Sequence, residues 1–96
     1  MGKSTLSVAT HSGKYTNSDW GSASGTIAMD VTAAGKTPIA IIAFRVEGNV
    51  WRIRELYLVY NSDANTYTCR MTVFRNEVNS AATTCTGYVR ILYVQD

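Results

Sequence analysis

Apolar residues recur at every second position through much of this chain. Leu6 and Val8 alternate with Ser7 and Ala9, and Ile27, Met29 and Val31 alternate with Ala28, Asp30 and Thr32. A period of two sends alternate side chains to opposite faces, so both segments are predicted as half-buried strands. The polar, glycine-rich stretch 11–25 between them reads as one long loop. Ala34-Gly35-Lys36-Thr37-Pro38 reads as a turn, because Gly permits positive φ and Pro cannot donate to a ladder. The near-continuous apolar run 39–46 that follows predicts a central strand, covered on both faces.

Over 50–60 the phase changes. Trp51 and Ile53 occupy odd positions, then Leu56, Leu58 and Tyr60 occupy even ones, with Arg54-Glu55 between. One extra residue there, a β-bulge, keeps both sets on the core face. Asn61-Ser62-Asp63-Ala64-Asn65 is rich in side chains that bond their own backbone, so 66–75 is expected to return antiparallel. A turn at 76–80 leads to a last strand, 83–94. Six strands and no helix longer than about two turns describe an antiparallel β-sandwich, jelly-roll-like, of about six to eight strands, because a single open sheet of this size cannot bury so many apolar residues. The expected core is Ile39, Ile41, Ile42, Phe44, Ile53, Leu56, Leu58, Val73, Ile91 and Leu92. Pairing 66–75 with 83–94 as a hairpin sets Val73 opposite Ala81 and Cys69 opposite Cys85, two neighbouring reduced thiols.

Composition bounds the picture. The chain has 96 residues, enough for one domain over residues 1–96 with a single modest core. A hydrophobic fraction of 46% with 17% charged residues excludes a disordered chain. The formal charge of +2 is far below the basic excess of counterion-release nucleic-acid binding, so no nucleic-acid partner is expected. Arg52, Arg54, Arg70, Arg75 and Arg90 fall among Tyr and Phe in predicted strands, and the expectation is that their stems cover a solvent face and pair with Glu47, Glu55 and Glu77. No apolar run reaches the length of a signal peptide or a membrane span, which predicts cytosolic synthesis without membrane insertion. Two cysteines form neither a disulfide framework nor a zinc site, so the reduced state is the expectation.

Chemistry-bearing motifs are sparse. Gly2-Lys3-Ser4-Thr5 and Gly35-Lys36-Thr37 carry the closing residues of a P-loop but lack the earlier glycine, the preceding strand and the following helix, which excludes nucleotide binding. The single histidine, His11, has Asp19 as its only nearby acid and no rigid support for a triad. The seven carboxylates are scattered, with no converging pair for acid–base work. Asn61, Asp63 and Asn65 imitate the start of an EF-hand loop, but Thr66 replaces the glycine and Thr72 the closing glutamate. No catalytic residue, metal site or cofactor is expected. The stretch 11–25 combines adaptable Ser, Gly and Asn with the flat rings of Tyr15 and Trp20, a composition suited to stacking on a sugar. Tyr15, Asn17, Asp19 and Trp20 are therefore the candidate ligand-binding residues. The competing reading of Trp20 is a plug over one end of the sandwich.

Gly35-Lys36-Thr37-Pro38 with the apolar strand to Phe44, Tyr57-Leu58, the Asn61-to-Asn65 turn with Tyr67, and the ending Val89-Arg90-Ile91-Leu92-Tyr93-Val94 resemble the C-terminal domains of phage and prophage tail-fibre or minor tail proteins. The likeness covers about the last sixty residues, and Phe44-Arg45-Val46-Glu47 departs from it where a flexible aromatic or Gly is usual. The resemblance implies a non-catalytic, β-rich receptor-binding tip in the virion tail, made in the bacterial cytoplasm, recognising a host-surface glycan or protein and forming a homo-oligomer, a trimer as fibres are. A terminal strand with apolar residues on both faces points the same way, since a second subunit supplies the missing cover. A free-standing carbohydrate-binding domain and a small phage-encoded inhibitor of a host protein are the alternatives.

Overall fold

The computed structural model describes residues 5–17, 21–48, 50–76 and 83–96. They form six antiparallel strands, β1 (Leu6–Asn17), β2 (Ala23–Asp30), β3 (Lys36–Glu47), β4 (Arg52–Asn61), β5 (Thr66–Arg75) and β6 (Thr83–Gln95), and no helix. A front sheet in the order β1-β6-β3 stacks on a back sheet in the order β2-β5-β4, a small β-sandwich. The chain crosses from one sheet to the other at every connection except the β4–β5 hairpin. There Asn61 Oδ1 accepts the Asp63 amide at 3.0 Å, the local turn that the Asn-rich loop predicts.

The odd positions of β6 and β5 face each other. Cys85, Val89, Ile91 and Tyr93 on the first, and Cys69, Met71 and Val73 on the second, are buried together with Ile27, Met29, Val31 and Trp51. In the front ladder Gly13 stands beside Gly87, and both face the inside of the sandwich. A Cβ on Gly87 would lie 2.6 Å from Met71 Sδ, so Met71 and Ile27 occupy the space that side chains would otherwise take.

The expected bulge is present. The β4–β5 register shifts between Ile53 and Glu55, which leaves Ile53 opposite Val73 and Leu56 opposite Met71, all on the inner face.

Several expectations are corrected. The stretch 11–25 is no long loop, since β1 runs to Asn17 and β2 starts at Ala23. Gly13 occupies an inward position and carries no side chain, which hides a period of two that Tyr15 and Asn17 continue. The strand over 39–46 is an edge and not the centre, because β3 pairs only with β6. An edge tolerates Pro38 and the register shifts at Pro38/Ala40 and Ile41/Ala43, and it leaves Ile39, Ile42 and Phe44 exposed instead of in the core. Leu92 lies outward on β6, and Ile41, Ile53, Leu56 and Leu58 are only half-buried.

The cysteine register also changes. β5 and β6 lie in opposite sheets, with β5 pairing β2 and β4. Arg75 reaches Thr83 and Met71 sits over Gly87, so Val89 faces Cys69 and Val73 faces Cys85. The thiols are thus about 13 Å apart along the strands before the sheet spacing is added, beyond any disulfide. Both are free and buried.

Candidate functional site

The expected loop residues sit at one end of the sandwich. Tyr15 is a half-buried strand residue whose ring packs edge-on against Trp51 at 5.7 Å, lies over Gly25, and donates its hydroxyl to Ser24 O at 3.1 Å. Asn17 closes β1, buried, in register with Thr83. Asp19 and Trp20 lie outside the described residues. Beside Tyr15, Arg75 is only 1% exposed, which corrects its expected place on a solvent face. Its Nε donates to Gly21 O at 3.0 Å, one terminal nitrogen donates to Thr83 Oγ1 at 2.6 Å, and its guanidinium lies over Trp51. Trp51 Nε1 donates to the same Thr83 oxygen at 3.0 Å. Arg75 thus ties Gly21, just before β2, to the start of β6 and gives this end of the sandwich a rigid polar floor.

A second polar cluster joins β1, β2 and β6. Tyr93 donates its buried hydroxyl to Val31 O at 2.6 Å, and His11 Nε2 lies 2.7 Å from the same hydroxyl. The tyrosine has one proton and gives it to the carbonyl, so His11 is the donor to Tyr93. Both groups are spent on structure. Asp30 at the end of β2 is held below the usual carboxylate range by hydrogen bonds from Thr32. Burial pushes the Cys69 thiol up to about 11 and raises Cys85 as well, so both stay protonated and weakly nucleophilic at neutral pH. Among the described residues no three His, Cys, Asp or Glu side chains gather to hold a metal.

The outer faces of the two sheets differ. The back sheet presents Ser24, Thr26, Asp30, Arg70 and Thr72, with Tyr57 43% exposed beside Arg70 and Phe74 under the Arg54 guanidinium. On the front sheet, Leu6 stands opposite Val94, and Val8 opposite Leu92, which has Ala40 on its other side. Leu6 is 55% and Val8 42% exposed. Further along the same face lie Thr10 and Arg90, then Tyr88 with the Arg45 guanidinium 4.0 Å above its ring. These residues border a groove of about 190 Å³. Sequence reasoning missed it because Arg45 and Tyr88 meet only through the β3–β6 register; the readable signal is Tyr88 and Arg90 at a spacing of two. Compared with protein-family models, with curated proteins and with solved structures, the chain finds no match.

Proposed function

We propose that this chain is a non-enzymatic binding module, the receptor-binding tip of a phage tail fibre that recognises a host-surface glycan or protein, and that it works as a homotrimer. The observation that carries this reading is the apolar half of the front sheet, where Leu6, Val8, Leu92 and Val94 line one outer surface of a 96-residue sandwich. Soluble monomers rarely leave such a patch uncovered, and identical copies packing these faces together remove it from water. The resemblance of 35–44 and 89–94 to tail-fibre C-terminal domains supports the particular assignment. Rigid strands bearing aromatic and arginine side chains on the adjoining surface suit recognition.

Light scattering combined with binding of the labelled protein to bacterial cells tests the reading. A trimer mass with saturable binding to a subset of strains is expected. A monomer that binds glycans indicates the free-standing carbohydrate-binding domain, and capture of one host cytosolic protein without cell binding indicates the inhibitor.

A further inference from the structure

On the side of the molecule away from the apolar half of the front sheet, the outer face of the back sheet carries a groove of about 180 Å³. Its floor is Thr72 on the central strand β5, flanked in direct register by Thr26 of β2 and Glu55 of β4. Opposed residues on neighbouring strands hold their β-carbons about 5 Å apart, so these three side chains share one stretch of the face. Arg54, the extra residue of the β4 bulge, also lines the groove, and its guanidinium rests on Phe74 at 4.6 Å. The exposed Tyr57 follows Glu55 on the same face, about 7 Å along the strand.

The polar groups of this groove are unspent. Thr72 Oγ1 is shielded from solvent and has no hydrogen-bond partner, which is a cost to the free protein. Rotation to the next staggered χ1 position turns that hydroxyl towards the groove. Arg54 and Glu55 are exposed, and neither has a hydrogen-bond or ion-pair partner among the described residues.

We infer that this groove is a binding site for a neutral hexopyranose, whose adjacent hydroxyls bridge Glu55, Thr72 and Arg54 and whose C–H face lies against Tyr57. The inference rests on the reading of the chain as a binding module. A carboxylate only accepts hydrogen bonds and a guanidinium only donates them, whereas a sugar hydroxyl does both and satisfies the two side by side. Glu55 repels an acidic sugar and Arg54 an amino sugar, which leaves the neutral one. A groove of about 180 Å³ holds one pyranose ring, and an aromatic side chain meets its C–H face with apolar contact. Packing of copies through the front sheet leaves this face outward. A hydroxyl-bearing peptide supplies the hydrogen bonds but not the ring, which makes it the rival occupant.

The test is a ¹⁵N NMR titration of the whole chain with the methyl α-glycosides of glucose, galactose and mannose, with methyl α-galacturonoside, and with N-acetyl triserine amide. At least one neutral glycoside is expected to shift the amides of 54–57 and 72–74, with the acid and the peptide at least about fivefold weaker. Thr72→Val should weaken that binding about fivefold or more while the urea midpoint stays level or rises, because the variant loses a hydroxyl that the free protein leaves unpartnered. Glu55→Ala should weaken it about tenfold. Thr68→Val removes the same group from the same face of β5, two rows away and outside the groove, and should leave binding unchanged. Equal binding of the acid or the peptide, full binding by the Thr72 variant, equal losses in the Thr68 and Thr72 variants, or no shifts with any neutral glycoside would overturn the site. Cell binding that persists without a glycoside response overturns this inference alone; loss of both overturns the binding-module reading with it.

Discussion

Gly25 shows how strongly a missing side chain is specified. A Cβ there would fall within the Tyr15 ring, and Tyr15 is itself held by Trp51 and Ser24. Gly25→Ala should therefore cost about 1–3 kcal/mol in urea denaturation. In a Tyr15→Leu background the cost should shrink, giving a coupling of at least about 0.5 kcal/mol; additive effects would show that the ring is not the obstacle. The thiols yield a pH prediction at the same scale. Cys69 is raised from 9.0 to about 11 by burial, and Cys85 and Tyr93 are raised for the same reason. Each folded-state value lies above its unfolded one, so the stabilisation is complete below about pH 9 and disappears as pH climbs towards 11. Urea midpoints at pH 8 and pH 10.5 should fall in that order, and a flat profile would contradict the buried neutral thiols. Thiol titration should find both cysteines slow in the native protein and two free thiols in denaturant.

Among the strands, β4 and β3 use irregularity for opposite ends. In β4 the extra residue at Arg54 returns Leu56 and Leu58 to the inner face after Ile53. Deleting Arg54 should move these side chains to solvent and abolish cooperative unfolding, because a one-residue slip inverts every face beyond it. Arg54→Ala keeps the count and loses only the stacking of the guanidinium over Phe74 at 4.6 Å, so it should cost no more than about 1 kcal/mol. A foldable deletion variant would argue against the register. In β3, Pro38 and two bulges blunt an edge, so Phe44→Ala should change the stability of the isolated chain by less than about 1 kcal/mol, against the 3–5 kcal/mol typical of a buried Phe.

The molecule as a whole is a thin slab of 59 × 26 × 15 Å. Its radius of gyration of 15.6 Å exceeds the roughly 12.5 Å of a compact domain of this length. Such a shape has a large outer surface for its interior, and the front sheet spends part of that surface on Leu6 and Val8. A double Leu6→Lys, Val8→Lys variant should give a monomer in light scattering while its circular dichroism remains that of a folded β protein, since neither side chain contributes to the buried core. An unchanged trimer would move the interface elsewhere, and a wild-type monomer at micromolar concentration would reject the assembly.

Local pattern determined much of this architecture. Alternation located β5 and β6 almost to the residue, the phase change at Arg54-Glu55 marked the bulge, and Asn61 set the β4–β5 hairpin, because each depends on neighbours a few residues away. Which strands pair was decided only in three dimensions. The β5–β6 connection reads like a hairpin, yet β6 lies between β1 and β3 in the other sheet, because its two-sided apolar pattern belongs at a sheet centre and the run 39–46, with Pro38 before it, belongs at an edge. The same long-range register separated the cysteines, buried Arg75 against Trp51 and Thr83, and brought Arg45 over Tyr88 beside Arg90. Period-two spacing tells each side chain which face it takes; only the partner strand tells it what stands next to it.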